Sequence, residues 1–201
     1  MRKIEISVFK FSELSEKAKQ NALAEYQNDG EYFWADENRQ TLESFADRFP
    51  ITINKWSYGG RGEGVFFTFN ESDEIEELNG VRLRTYLINN YYDILFERKP
   101  QGAYTKNEKT GKWSYKRLSR ITFVETSCPF TGYCVDEDIL DPIRTFVNKP
   151  NSTNFKELID ECFDSWVRAC NADYEYQFSE EAYSEHCEAN EYEFDESGNL
   201  I

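Results

Sequence analysis

This 201-residue sequence has a single histidine and no long apolar run. No window approaches the ~18 uninterrupted apolar residues that a membrane-spanning helix needs. The first residues, Met1 to Phe11, alternate polar and apolar side chains, whereas a secretory signal peptide carries a continuous apolar stretch. We therefore expect a protein without a membrane segment that stays in the cytoplasm where it is made.

The cysteines are odd in number and irregularly spaced, which makes a poor disulfide framework and is typical of a reducing compartment. Zinc sites favour Cys pairs about two to four residues apart. Here the pairs are separated by five and seven residues. The sequence predicts free thiols, no bound metal and no cofactor. The cysteines are Cys128, Cys134, Cys162, Cys170 and Cys187.

A catalytic centre is not indicated by any local motif. His186 is the only histidine, so it would have to serve any histidine-based site. Glu185 and Glu188 lie beside it in sequence, and their charge favours the protonated imidazole, which is a poor base. The sequence therefore predicts a protein that is not an enzyme.

The glycine run from Gly59 to Gly64 is the other motif that suggests a ligand site. A phosphate-binding loop needs a helix directly behind its glycines, because the helix amides hold the anion. Val65–Phe69 follows here and is strand-forming. The run is therefore predicted to be a β-turn.

Apolar periodicity predicts an α+β fold, with a small mixed or antiparallel sheet packed with several amphipathic helices. Trp34 and Asn90 are assigned to buried helix faces, and Pro142 to a tolerated position near a helix start. The predicted helices are Ser12 or Ser15 to Tyr26, Trp34–Phe49, Val81–Phe96, Asp136–Asn148, Phe155–Cys170 and one starting at Ser179. The predicted strands are Ile4–Val8, Ile51–Tyr58, Val65–Phe69, Ala103–Lys106, Lys112–Lys116, Ile121–Glu125 and Glu191–Phe194.

A break at Lys149-Pro150-Asn151-Ser152 divides the chain in two. Residues 1–150 are predicted to form the α+β core. Residues 151–201 are predicted to form an acidic helical segment with a terminal strand. We expect this segment to pack on the core as one domain.

Charge is distributed unevenly along the sequence. The formal net charge is −15, and residues 151–201 hold fourteen acidic residues against two basic ones. The stretch Arg98–Arg120 has the opposite sign, with eight basic residues and one acidic residue. Since aromatic residues make up 16% of the chain, we expect this charge to lie on a folded body, because disordered chains are poor in aromatics.

The acidic residues after 150 recur at intervals that place them in rows. On the predicted helix they repeat about every 5.4 Å, and on the predicted terminal strand they repeat about every 6.6–6.8 Å. Such rows resemble the charge pattern of a nucleic-acid backbone; the alternative is an ordinary solvated surface. The candidate partner-binding residues are Glu157, Asp160, Glu161, Asp164, Glu180, Glu181, Glu185, Glu191, Glu193 and Asp195.

The basic stretch interleaves cations with aromatic residues, which is the composition of a nucleic-acid stacking site. An ordinary amphipathic hairpin has the same composition, and the net charge of −15 repels a polyanion. Direct nucleic-acid binding is therefore an alternative and is not favoured. Its candidate residues are Lys106, Lys112, Trp113, Lys116 and Arg117, with Tyr104 and Tyr115 beside them.

The segment Phe11–Ala22, directly after a predicted strand, resembles the opening of a diffuse group of small bacteriophage and prophage proteins. Three further segments are similar to that group: Tyr32-Phe33-Trp34, the glycine turn Tyr58–Phe67 and the end Phe194–Ile201. Some members are labelled antitoxin-like. The resemblance implies a mobile-element origin and supplies no catalytic residues. The turn departs from the usual pattern at Arg61 and Glu63.

These observations lead to one expected function and two alternatives. We expect a non-enzymatic phage inhibitor, acting in the bacterial host cell, whose acidic surface blocks the basic nucleic-acid channel of a host defence nuclease. The expected partner is a host nucleic-acid-binding protein, with a CRISPR effector as the leading candidate. The alternatives are an antitoxin-like protein that neutralises a basic toxin, and a nucleic-acid-binding protein that uses the basic stretch.

Overall fold

The structure, a computed structural model, describes residues 7–60, 62–70, 73–95, 102–117, 128–133 and 135–201. These residues fall into two compact units. The first unit combines the described residues up to Ala35 with Cys170–Ile201, and the second is Asp36–Ala169. The predicted boundary after residue 150 lies inside the second unit. The expectation that residues 151–201 pack on the core as one domain stays a prediction.

The fold is α+β, as predicted. The described strands form two separate antiparallel sheets rather than one, the first from residues 51–57 and 64–69 and the second from residues 102–106 and 113–117. The helices that the structure describes are α1 (Glu16–Asp29), α2 (Ala35–Arg48), α3 (Asp73–Glu76), α4 (Gly80–Asn90), α5 (Tyr92–Leu95), α6 (Val135–Asn148), α7 (Phe155–Gln177) and α8 (Glu180–Ala189). The described strands are β1 (Ile51–Ser57), β2 (Gly64–Phe69), β3 (Gly102–Lys106) and β4 (Trp113–Arg117).

The first unit is built around α1, whose start and apolar stripe follow the prediction. The Ser15 hydroxyl accepts a hydrogen bond from the Ala18 amide at 3.3 Å and caps the helix. The stripe packs against α8 and the segment that follows it. The buried residues of this core are Phe11, Leu14, Ala18, Ala22, Tyr183, Cys187 and Phe194.

The predicted strand Glu191–Phe194 is wrong. Phe194 makes isolated bridges to Phe9 and Leu200 instead of joining a ladder. Glu191 has a φ of 55°, a left-handed value that interrupts the extended backbone. The segment after α8 is therefore a turn with one buried aromatic residue.

That turn packs directly on α1. The Asn21 side-chain amide donates a hydrogen bond of 3.2 Å to the carbonyl oxygen of Ser197. Gly198 has a φ of 91°, and a Cβ atom there would overlap the carbonyl oxygen of Ala18. Only glycine combines this backbone conformation with so close an approach.

The second unit has α7 at the centre of its core. The Phe163 ring meets the rings of Phe45 on α2 and Phe67 on β2, with centroid distances of 5.5 and 5.1 Å. The indole of Trp166 is fully buried and donates a hydrogen bond of 3.2 Å to the carbonyl oxygen of Asn38. The apolar residues that one-turn spacing predicts to face inward on α7 are all buried: Phe155, Leu158, Ile159, Cys162, Phe163, Trp166, Val167 and Cys170.

The glycine run joins the antiparallel strands β1 and β2, and Arg61 within it lies outside the described residues. Gly59 and Gly62 have φ values of 77° and 82°, which favour glycine. β2 begins at Gly64, with no helix after the turn. This arrangement lacks the helix N-terminus that a phosphate-binding loop requires.

Two side chains assigned to buried faces are exposed. Trp34 is 39% exposed, because it precedes the first residue of α2 instead of lying within the helix. The predicted helix Val81–Phe96 is interrupted at Tyr91, and α5 follows. Asn90 is exposed and donates a hydrogen bond of 2.8 Å to the carbonyl oxygen of Tyr86.

Pro142 lies inside α6, as its eighth residue, rather than near the helix start. An interior proline removes one backbone hydrogen bond. The strand prediction Ile121–Glu125 and most of Ile4–Val8 fall outside the described residues. None of the helices within the described ranges combines the length and apolar character that crossing a membrane requires.

Candidate binding surfaces

The polar face of α7 carries the first predicted row of carboxylates. Its buried stripe faces the core, so the residues between the stripe positions point to solvent. The four predicted residues are all exposed: Glu157, Asp160, Glu161 and Asp164. The structure therefore confirms that they share an exposed face.

Two members of this row already have local partners. The Glu157 carboxylate accepts a hydrogen bond from the Asn154 amide at 3.0 Å, and Asn154 Oδ1 accepts one from the Glu157 amide at 2.8 Å. This reciprocal pair is a capping box, which stabilises the start of α7. Asp160 lies 3.8 Å from the ammonium of Lys156 in an exposed ion pair, a contact that contributes little energy.

α6 adds carboxylates that the sequence analysis did not include. Asp141 of α6 lines a cleft of about 310 Å³ together with Glu161 and Asp164 of α7. Lys149 and Arg168 also line this cleft. We call the exposed and half-exposed carboxylates of α6, and of α7 as far as Ala169, the α6–α7 acidic surface: Glu137, Asp138, Asp141, Glu157, Asp160, Glu161 and Asp164.

Burial and neighbouring charges shift the pKa of two of these carboxylates. Burial raises the pKa of Asp138 above its usual value, and the negative charges of Glu137 and Asp141 raise it further. Burial also raises the pKa of Asp160, where Asp164 adds to the effect and Lys156 opposes it. An added cation favours the ionised form of a carboxylate whose pKa is raised in this way.

A second row of carboxylates lies on α8, in the first unit. Ser179 caps this helix, as predicted, and its hydroxyl accepts a hydrogen bond from the Ala182 amide at 3.2 Å. Glu180, Glu181 and Glu185 are exposed. The first two lie in the opening turn, where negative charge stabilises the helix dipole. They therefore have a structural role that does not depend on a partner.

The carboxylates predicted to form a row on the terminal strand do not form one. Without a strand, Glu191 and Glu193 are separate exposed side chains. Asp195 holds the terminal turn: its carboxylate accepts hydrogen bonds from the amides of Ser197 and Asn199 at 2.8 and 3.0 Å and from the Asn199 side chain at 2.7 Å. The side chain of Asn199, followed by its backbone amide, lowers the pKa of Asp195.

His186 is placed between two neutral partners. Its Nδ1 lies 3.2 Å from the side-chain amide of Asn190, and its Nε2 lies 3.4 Å from the hydroxyl of Tyr192. Both ring nitrogens are thus within reach of a hydrogen bond, which orients the half-buried ring. The prediction that the protein is not an enzyme stays a prediction.

Cys162 and Cys170, which lie on the apolar stripe of α7, are buried, and so is Cys187. Burial raises the pKa of the Cys162 thiol. Cys128 is half-buried, and Cys134 lies outside the described residues. Across the described ranges, no group of three or more His, Cys, Asp and Glu side chains has an arrangement that could hold a metal ion.

The basic stretch forms the predicted hairpin, and its aromatic residues are exposed. Tyr104, Trp113 and Tyr115 are 72%, 66% and 53% exposed. Lys106 and Lys112 are exposed as well. Lys116 and Arg117 lie in β4, opposite Ala103 and Gly102, and their side chains are outside the described set. An ordinary amphipathic hairpin would bury one face, whereas in this hairpin all side chains described, from Tyr104 to Tyr115, are exposed.

No family model, no curated protein and no solved structure matches this chain. The fold and surfaces therefore define it as an α+β protein with an acidic helical surface and an exposed aromatic and basic hairpin. The resemblance to phage and prophage proteins stays a prediction.

Proposed function

We propose that the protein is a non-enzymatic inhibitor that binds the basic nucleic-acid channel of a host defence nuclease through the α6–α7 acidic surface. The observation that carries this proposal is the crowding of carboxylates on two adjacent helices. Asp141, Glu161 and Asp164 line one cleft. Burial, followed by the negative charges of Glu137 and Asp141, raises the pKa of Asp138. A folded protein accepts such self-repulsion at a cost in stability.

A cationic channel would remove that cost. Lys and Arg side chains that bind phosphates would meet carboxylates repeating about every 5.4 Å along a helix. Complementary charge gives fast association and excludes the nucleic acid from the same channel. The proposal therefore predicts competition between this protein and nucleic acid for one surface of the partner.

The partner class follows from this chemistry. It is a protein whose basic channel holds nucleic acid, and among host defence nucleases we propose a CRISPR effector, which holds a guide–target heteroduplex in a positively charged channel. A phage or prophage origin, proposed from the resemblance at Phe11–Ala22, is consistent with such a target. A basic toxin would present similar chemistry to the same surface.

Charge reversal tests the proposal. In one variant, Asp141, Glu161 and Asp164 are each replaced by Lys. In a matched variant, Lys replaces Glu181, Glu185 and Glu188 of α8. Each change alters the net charge equally. We expect the first variant to lose inhibition of a purified CRISPR nuclease and the second to retain most of it. The measurement is target-DNA cleavage at increasing inhibitor concentration.

Salt and competition supply the second arm. Binding of the unmodified protein should weaken between about 50 and 200 mM salt, as a polyanion's would. Unlabelled guide or target nucleic acid should displace it. If the first variant inhibits as well as the unmodified protein, the α6–α7 acidic surface is not the binding surface. If the protein fails to inhibit any CRISPR nuclease but rescues growth against a basic toxin, the partner class is wrong.

A further inference from the structure

The β3–β4 hairpin has a well-defined turn. Asn107 Oδ1 accepts hydrogen bonds from the amides of Lys109 and Thr110 at 3.0 and 3.1 Å. The Gly111 amide donates to the Asn107 carbonyl at 2.8 Å, and Gly111 has a φ of 65°. This turn fixes the register of the two strands, and thereby which side chains share a face.

One face of the hairpin combines aromatic and cationic side chains. The register pairs Tyr104 with Tyr115 and Lys106 with Trp113. Residues two apart on a strand point to the same face, so these four side chains lie together. The rings of Tyr104 and Tyr115 have centroids 5.0 Å apart, and the Lys106 ammonium lies 5.9 Å from the centroid of the Trp113 ring.

The opposite face is small and polar. Thr105 and Ser114 pair across the strands, with their hydroxyl oxygens 3.2 Å apart. Every side chain from Tyr104 to Tyr115 is exposed. The aromatic face therefore contributes no packing to the core of the second unit. Aromatic residues that remain exposed together mark a binding surface.

We infer that this face binds single-stranded nucleic acid, with bases stacked on the rings of Trp113 and the Tyr104–Tyr115 pair and with Lys106 on the phosphates. The two ring positions are about 6.6–6.8 Å apart along the strand, so successive unstacked bases have separate surfaces. Stacking on aromatic rings together with cations on the backbone is how sequence-tolerant single-strand binding works.

Charge complementarity favours a polyanion as the occupant. Residues 102–117 include five basic residues and one acidic residue, Glu108. The excess of acidic residues that gives the chain its net charge of −15 lies outside this hairpin. Salt screens charges beyond about 8 Å at physiological ionic strength. The local charge of the hairpin therefore governs contact with a strand.

A single strand fits this face better than a duplex does. A two-stranded ribbon is able to enter the major groove, but the bases of a duplex are stacked on one another and offer no free ring surface. A base can stack on the exposed rings of Tyr104, Trp113 and Tyr115 only when it is not stacked on another base. RNA and DNA strands share this chemistry, so both belong in the test.

The experiment measures fluorescence anisotropy of labelled oligo-uridine and oligo-thymidine of about 12 nucleotides, and of a duplex of equal length, with the full chain. We expect both single strands to bind more tightly than the duplex. Trp113→Ala and Tyr104→Ala should each weaken binding about tenfold. Trp113→Phe should retain most of the affinity, because a ring remains available for stacking.

Two further variants separate stacking from charge and from folding. Lys106→Glu should weaken binding and reduce its salt dependence. The matched control is Thr105→Ala combined with Ser114→Ala, on the opposite face of the same strands, which should bind like the unmodified chain. If this control loses as much affinity as Trp113→Ala, the loss reflects the hairpin's folding and the stacking proposal is overturned.

Other occupants give other results. Absence of single-strand binding at low salt overturns the proposal. Salt-dependent self-association in sedimentation that Trp113→Ala abolishes, without oligonucleotide binding, assigns the face to a second copy of this chain. The proposal is independent of the inhibitor function, because the Asp141, Glu161 and Asp164 reversal should abolish nuclease inhibition and leave oligonucleotide binding intact or stronger.

Discussion

The Thr41 hydroxyl donates a hydrogen bond of 2.7 Å to Asp136 Oδ1, and both residues are inaccessible to solvent. Asp136 Oδ2 accepts three more bonds, from the amides of Phe130, Thr131 and Gly132 at 2.8, 2.8 and 3.1 Å. One carboxylate thus joins α2, the loop before α6 and the start of α6. The position of the α6–α7 acidic surface depends on it.

Asp136→Asn should destabilise the protein by about 3 kcal/mol, because an amide cannot accept from all of these donors and leaves some of them buried without a partner. Thr41→Val removes a single donor and should cost about 1 kcal/mol. The measurement is urea unfolding, with the shift read from the midpoint at an unchanged slope. Equal effects of the two changes would show that Asp136 does not hold the loop.

The capping box at the start of α7 separates stability from charge. Asn154→Ala should cost about 1 kcal/mol of stability, since it removes the cap of the longest helix described. Glu157→Gln keeps an acceptor at the same position and should leave stability nearly unchanged. If the charge of Glu157 contributes to partner binding, Glu157→Gln weakens inhibition without lowering the melting temperature. A parallel fall in both would assign Glu157 to folding alone.

Acid should relieve the crowding on the α6–α7 acidic surface. The folded-state pKa values of Asp138 and Asp160 are raised, with burial as the main cause, so their ionised forms cost stability. That cost is complete above the folded pKa and absent below the unfolded value of about 3.9. Asp138→Asn and Asp160→Asn should therefore raise the melting temperature at neutral pH, and the gain should vanish by about pH 4.

Asp195 should behave in the opposite way. Its hydrogen bonds to Asn199 lower its pKa, so its ionised form stabilises the fold above the unfolded value, and this contribution is lost as pH falls through the folded pKa. Asp195→Asn should lower the melting temperature at neutral pH, with a smaller effect in acid. Melting curves across this pH range check both predictions, and the same sign for all three variants would contradict them.

Two glycines with positive φ provide a matched comparison. Gly198→Ala combines the φ of 91° with an overlap against the Ala18 carbonyl, and it should cost more than about 2 kcal/mol. Gly111→Ala meets no atom within 4 Å at a φ of 65°, so only the backbone strain of about 1 kcal/mol remains. Urea midpoints measure both, and equal costs would mean that the turn is free to move away from α1.

Local sequence signals predicted the parts of the fold that local interactions determine. Ser15 and Ser179 start their helices because each supplies a side-chain acceptor. The α7 stripe follows one-turn spacing, and tertiary packing does not oppose it. The hairpin at residues 102–117 follows from alternation and a turn that contains glycine.

The missed features depend on contacts between distant segments. In sequence, Asp136 is an ordinary acidic residue in a first helical turn, and nothing local reveals its burial against Thr41. A break near residue 150 separates α6 from α7 in the sequence. The sequence therefore does not predict that Asp141 and Glu161 line one cleft. A signal was present at Glu137, Asp138 and Asp141, whose spacing places them close together on one helix.

The alternation at Glu191–Asp195 predicted a strand, but a strand needs a partner along its length, and Phe194 finds only single bridges. The exposure of the hairpin face that carries Trp113 could not be predicted from the sequence either. The same alternation would describe a hairpin packed on a core, and only the fold decides between the two. Periodicity therefore located these side chains on faces without telling which face is covered.

The first unit takes its residues from both ends of the described chain, and Asn21 bonds to Ser197 across a separation of 176 positions. During synthesis, α1 is made well before α8, so its apolar stripe cannot pack against α8 until residues 180–189 have left the ribosome. The second unit is continuous and is complete much sooner. Folding in the cell should therefore proceed from the middle of the chain outward, leaving Leu14, Ala18 and Ala22 available to chaperones in the interval.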